Sequence, residues 1–158
     1  MFGICNLAII PLRIEPSDRS EIVSQVLFGE HFEILEQQKQ WAKIKLQFDE
    51  YEGWVDSKQF QIISEADFQQ LSSDAIILNS DLIEYITGPN NLLIPIPLGA
   101  SLSFLSHNEI NTQNYDFEGL KISGQKPKSN LINTAFMYLN APYLWGGKTP
   151  FGIDCSGF

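Results

Sequence analysis

Cysteine is scarce: 158 residues contain two, Cys5 and Cys155. A pair cannot form the framework of a disulfide-stabilised mini-domain. Histidine is as rare, with His31 and His107 far apart in sequence, so neither a zinc site nor any other metal site is expected. No apolar run approaches the roughly 20 residues a membrane-spanning helix requires. Basic residues are also few, ten Lys and Arg against nineteen Asp and Glu, for a net charge of −9. That balance excludes a phosphate-backbone partner, which needs a basic face, and an anionic membrane surface. No cofactor motif stands in the sequence. The first residues, Met1 to Cys5, lack the basic segment that opens a secretory signal. A cytoplasmic location is therefore expected, with a secreted or periplasmic one as the alternative if translation starts further upstream.

What is present is ordinary for a globular protein: 44% hydrophobic residues and 18% charged. Residues 1–64 read as a small all-β unit. Leu7 to Ile14 is an extended apolar run, in which Pro11 marks an edge or a bulge. Trp41 to Leu46 alternates, with Lys43 and Lys45 facing outward. Short strands at close spacing, separated by turns such as Glu15 to Ser20 and Asp49 to Glu52, favour a small barrel. Ser64-Glu65-Ala66-Asp67 has the form of a capping box with Asp at its fourth position, predicting a short helical connector over 65–74. Residues 75–125 again read as short strands, at 75–78, 82–86, 92–94 and 103–105, with turns at 88–91 and 95–97. A second, diverged barrel is expected there. A linker at 123–128 then leads to a helix over 130–140, capped by Ser129 or Asn130 and halted by Pro142. Leu131, Ala135 and Leu139 share one stripe of it, beside Ile132 and Phe136.

The tail, Tyr143 to Phe158, carries the chemistry. Glycines at 146, 147 and 152 permit a tight loop that presents Asp154-Cys155. If Cys155 opens a helix, the helix N-terminus favours its thiolate, and its backbone N–H can face a developing oxyanion. Cys155 thus reads either as a nucleophile or as a small buried hydrophobe, the commoner fate of a lone cysteine. Asp154 can cap the helix, act on a ligand, or do both.

Residues 143–158 resemble the nucleophile motif of the NlpC/P-sixty cysteine peptidases, Tyr-x-Trp-Gly-Gly-x-Thr-x-x-Gly-x-Asp-Cys-Ser-Gly-Phe, with every specified position filled. The first unit is similar to the bacterial SH3 domains that precede such peptidases, at Ser20 to Glu30 and at Tyr51 to Val55. The whole order is similar to the YkfC-like branch, with two SH3-like domains ahead of the peptidase. The resemblance implies a mainly β chain: one or two small SH3-like barrels, then the helical start of a papain-like α+β domain over 126–158. It implies that Cys155 is the nucleophile, with a later histidine as base. The implied substrates are peptidoglycan stem peptides such as L-Ala-γ-D-Glu-diamino acid, cut after γ-D-Glu. Asp154 and groups of the first SH3-like domain, Tyr51 and Glu21, are implied holders of the free L-Ala amine, and Ser156 is an implied substrate contact. Read without the resemblance, Tyr51 is equally a turn aromatic packed on Trp54, and Glu21 a solvated loop charge.

The order cysteine then histidine is not met within these 158 residues, since His31 and His107 both precede Cys155. The expectation is a truncated peptidase domain without activity of its own. The rival is a non-catalytic SH3-like module that binds cell wall. A polyproline-binding barrel is a weaker third reading.

Overall fold

A computed structural model describes residues 1–106, 109–110 and 113–158. His107, expected in a polar loop, lies outside the described residues. Seven strands form one antiparallel sheet: β1 (Phe2–Ile4), β2 (Ile9–Arg13), β3 (Ile22–Leu27), β4 (His31–Gln38), β5 (Trp41–Leu46), β6 (Glu52–Asp56) and β7 (Gln61–Ile63), in the order β3-β2-β6-β5-β4-β1-β7. Their alternate side chains point into one core of Ile10, Leu12, Val26, Phe32, Ile34, Ile44, Leu46 and Val55. Alternation in β5 holds as read: Lys43 and Lys45 lie outside the core and pair with Glu52 at 2.8 Å and Glu50 at 3.4 Å. Pro11 is tolerated because β2 meets β6 only at Arg13, leaving most of its second side unpaired like an edge. The register also shifts between Leu12 and Arg13, the bulge that Pro11 suggested.

Strand β1 has no counterpart in the sequence reading. Three residues give too little periodicity to register as a strand, yet they pair with both β4 and β7. Gly3 is needed there, because a Cβ would fall 2.5 Å from the Phe32 ring.

Helix α1 (Glu65–Ser73) starts with the predicted capping box. Ser64 Oγ accepts from the Asp67 N–H at 3.0 Å, and Asp67 Oδ2 accepts from the Ser64 N–H at 3.3 Å. Phe68, the buried residue of α1, stacks on Phe2 with centroids 4.1 Å apart.

The described residues of 77–123 form three two-stranded ladders. They are β8 (Ile77–Asn79) with β13 (Lys121–Ser123), β9 (Ile83–Thr87) with β10 (Leu93–Pro97), and β11 (Glu109–Ile110) with β12 (Gln113–Asn114). Two expectations fail here. Residues 103–105 are not a strand but belong to a 3-10 turn, Ser103–Ser106, while Pro95 to Pro97 is not a turn but the end of β10. Strand β10 has β9 as its ladder partner on one side only, so its prolines cost little. Ile86, Ile96, Leu102, Phe104, Tyr115 and Phe117 form a second core, and Ile4, Phe28, Ile63 and Phe68 of the preceding segments enter it.

Helix α2 spans Ser129–Met137, shorter than the predicted 130–140. Lys128 occupies its N-cap without a side-chain bond, so neither Ser129 nor Asn130 serves as the cap. The helix unwinds before Pro142: Tyr138 and Leu139 bond three residues back, and Asn140 takes a φ of 70°. None of its residues is buried. After it, β14 (Lys148–Thr149) and β15 (Gly152–Ile153) make a small hairpin.

Candidate active site

The hairpin β14–β15 delivers the chain to Asp154 and Cys155. Ile153 bridges back to Tyr143, and the Asp154 N–H bonds the Gly147 carbonyl at 3.1 Å, closing residues 143–154 into a compact loop. Its glycines are used at close approaches. Gly146 has a φ of 73°, and a Cβ there would lie 2.4 Å from the Ile22 carbonyl oxygen of β3. At Gly157 a Cβ would meet the Gly147 oxygen at 2.3 Å.

Asp154 organises the final turn of the chain. Its Oδ1 accepts from the N–H groups of Ser156 and Gly157 at 2.9 and 2.8 Å, and its Oδ2 from that of Gly146 at 2.8 Å. The Phe158 N–H reaches the Asp154 carbonyl at 3.1 Å. Asp154 therefore caps a single turn over Cys155 to Gly157, where a full helix opening at Cys155 was conditionally expected. Three N–H donors, those of Gly157 and Gly146 foremost, hold its carboxyl below the usual carboxylate range. Cys155 is a free thiol and exposed. Ser156 is exposed beside it and donates its N–H to Asp154.

The loop docks on the first β unit. Trp145 Nε1 donates to Glu21 Oε1 at 2.6 Å, and the Lys148 N–H donates to Gln25 Oε1 at 2.9 Å. Lys148 Nζ contacts both oxygens of Glu30, at 2.9 and 3.2 Å. Burial pushes the Glu30 carboxyl up, opposed by the neighbouring ammonium. Sequence reasoning named Glu21 and missed Gln25, Glu30 and Lys148. Charged side chains in a strand and at a turn resemble solvated surface until a partner from the far end of the chain arrives. Glu21 and Asp154 are brought to consecutive residues of the loop, Trp145 and Gly146. Tyr51 is not drawn in by any hydrogen bond among the described residues; it ends the β5–β6 turn, 45% exposed, its N–H on Asp49 Oδ1 at 3.1 Å.

His31 opens β4, with Nε2 3.1 Å from Ser72 Oγ and its ring edge against Phe68. Burial drops its pKa to about 4, so it is neutral at pH 7. A cavity of about 400 Å³ lies beside this contact, lined by Leu27, Glu30, His31, Leu71, Lys148 and Gly157 among others. Among the described residues no group of three or more His, Cys, Asp or Glu is gathered to hold a metal ion, and no helix is long and apolar enough to cross a membrane.

The family model described as the bacterial dipeptidyl-peptidase Sh3 domain matches residues 12–60, from the end of β2 through β6 and the turn after it. Residues 12–60 are thus similar to the SH3 domain of bacterial dipeptidyl-peptidases. Over 90% of its length the chain is 23% identical to a gamma-D-glutamyl-L-lysine dipeptidyl-peptidase of Bacillus cereus, covering 50% of that protein. Over 92% it is 24% identical to dipeptidyl-peptidase 6 of Lysinibacillus sphaericus, covering 62% of that protein. The chain thus spans between half and two thirds of the length of these relatives. A crystal structure of an NlpC/P-sixty family protein from Bacillus cereus superposes with a TM-score of 0.76 at 16% identity, over 99% of this chain and 70% of that one. The chain shares its mainly β fold with that protein. In this chain the matched residues 12–60 are the platform on which the Cys155 loop rests.

Proposed function

We propose that this chain supplies the nucleophile-bearing front of a cysteine peptidase that hydrolyses peptidoglycan stem peptides between γ-D-Glu and the diamino acid, in cytoplasmic recycling of murein peptides. The observation that carries the reading is the exposed Cys155 thiol at the head of a turn capped by Asp154, on a loop anchored to the SH3 domain. The names of the relatives support a peptidase acting on γ-D-glutamyl peptides. In this reading residues 1–64 are the first SH3-like domain, 65–74 a connector, 75–125 a second diverged one, and 126–158 the start of the peptidase domain.

The groups present set the chemistry. Cys155 Sγ, once deprotonated, attacks the scissile carbonyl and expels the diamino acid amine, forming a thioester that water hydrolyses. The backbone N–H of Cys155 faces the oxyanion, while those of Ser156 and Gly157 are held by Asp154. Asp154 keeps a carboxylate beside the nucleophile, and with Glu21 and Tyr51 of the SH3 domain it holds the substrate's free L-Ala ammonium, a cation that must be paired when desolvated. Ser156 contacts the peptide. His31 bonds Ser72, and in this reading the base is a histidine that follows Cys155. The 158 residues alone are accordingly expected not to turn over substrate.

The test is hydrolysis of L-Ala-γ-D-Glu-diaminopimelate by the protein extended through the downstream coding sequence. Replacing Cys155 by Ala should lower kcat/KM by about a thousandfold or more. Capping the substrate amine with an acetyl group should raise KM sharply. Equal turnover by the Cys155→Ala protein, or turnover by the 158-residue chain alone, would refute the reading.

A further inference from the structure

We propose that Lys148 and Glu30 are positioning residues: their ion pair latches the nucleophile loop onto the SH3 domain, so that the barrel sets where Cys155 stands. The proposal deepens the peptidase reading and rests on it for the role of Cys155. It starts from the turn after β3. Glu30 Oε2 accepts from the Leu27 N–H at 2.7 Å, so the carboxylate is fixed by the turn it belongs to. The same turn is held from two further sides. Cys5 exchanges backbone bonds with it, its N–H to the Glu30 carbonyl at 2.9 Å and its carbonyl from the Gly29 N–H at 2.8 Å. The Ser101 N–H, from the 77–123 segment, reaches the Phe28 carbonyl at 2.8 Å. Glu30 is thus a rigid acceptor at the meeting point of three parts of the chain.

Lys148 is its counterpart on the loop. The two side chains are only 17% and 10% exposed, against 60% for Trp145, whose indole bonds Glu21. A shielded pair is screened far less than a surface one, and removing either member leaves the other charge buried and unpaired. From Lys148 the constraint passes through covalent neighbours. Gly147 accepts from the Asp154 N–H, Gly146 donates to Asp154 Oδ2, and Gly157 packs on the Lys148 backbone. Cys155 sits between these fixed points. Lys148 therefore acts through the loop, without touching a reacting atom.

Hydrogen exchange of the 158-residue chain, read by mass spectrometry, tests this without calling on turnover. Lys148→Met should raise exchange across 143–157 at least tenfold while peptides of 31–56 stay within twofold of the parent. Lys148→Arg, which restores a cation to Glu30, should recover most of the protection. The double variant Glu30→Met with Lys148→Met removes both charges and should lose less protection than Lys148→Met alone; it also stands in if the single variant fails to fold. Protection of 143–157 unchanged in Lys148→Met, equal loosening of loop and barrel, or no recovery with Lys148→Arg would each overturn the proposal. These outcomes leave the peptidase reading standing, whereas an active Cys155→Ala enzyme would remove that reading and leave the latch.

Discussion

At Gly146 the backbone adopts a conformation that L side chains resist, and a β3 carbonyl occupies the place of the missing Cβ. Gly146→Ala should therefore cost about 2 kcal/mol or more, spent on lifting the loop from β3. Loss of exchange protection at 143–154 with the seven-stranded sheet intact would report it. Asp154 gives a pH dependence with a definite sign. Its folded pKa lies below the ordinary value, so its contribution is complete above about pH 4 and is lost as pH falls through the lower, folded value. Trp145 emission, followed from pH 6 down to 2, should move to longer wavelength only in that acid range, and an Asp154→Asn chain should already be shifted at pH 6. The capping role of Asp154 was legible in the sequence, because a carboxylate ahead of a turn accepts that turn's N–H groups. Lys148 was not, since nothing local to it announces Glu30, 118 residues away.

Among the elements, α1 and β4 make the contact most open to titration. His31 faces Ser72 and Phe68 from the head of β4 and is neutral when folded. A depressed folded pKa means that its stabilising contribution is whole above about pH 6.5 and declines as pH falls towards 4, because the unfolded chain takes up the proton first. The loss should be on the order of 2 kcal/mol, discounted for the solvent the ring still meets. Melting curves between pH 7 and 4 should fall by several degrees in the parent and be nearly flat for His31→Gln. The elements with a local signal were read correctly: the capping box of α1 and the alternation of β5 need no distant partner. Those without one were misplaced. β1 is three residues long, and the 3-10 turn at Ser103–Ser106 carries the apolar residues of a strand because Phe104 is buried in the second core. The end of α2 depends on Asn140 turning left-handed, so the helix closes at Met137 instead of running on towards Pro142.

At the scale of the molecule, α2 and the tail differ from everything before them. Leu131, Ile132, Phe136, Leu139 and Phe158 are each more than 60% exposed, an apolar surface of the kind that monomeric proteins rarely leave open. The 158-residue chain should bind the dye ANS strongly at neutral pH and self-associate as concentration rises. Replacing Leu131 and Phe136 by Glu should weaken both, as sedimentation velocity and dye titration would record. The two thiols separate just as sharply. Cys5 is fully buried and pushed up to about 12, while Cys155 stands open to solvent. A maleimide fluorophore added to the native protein should therefore attach at one position, without mutagenesis, and report from the place where bond breaking is proposed to occur.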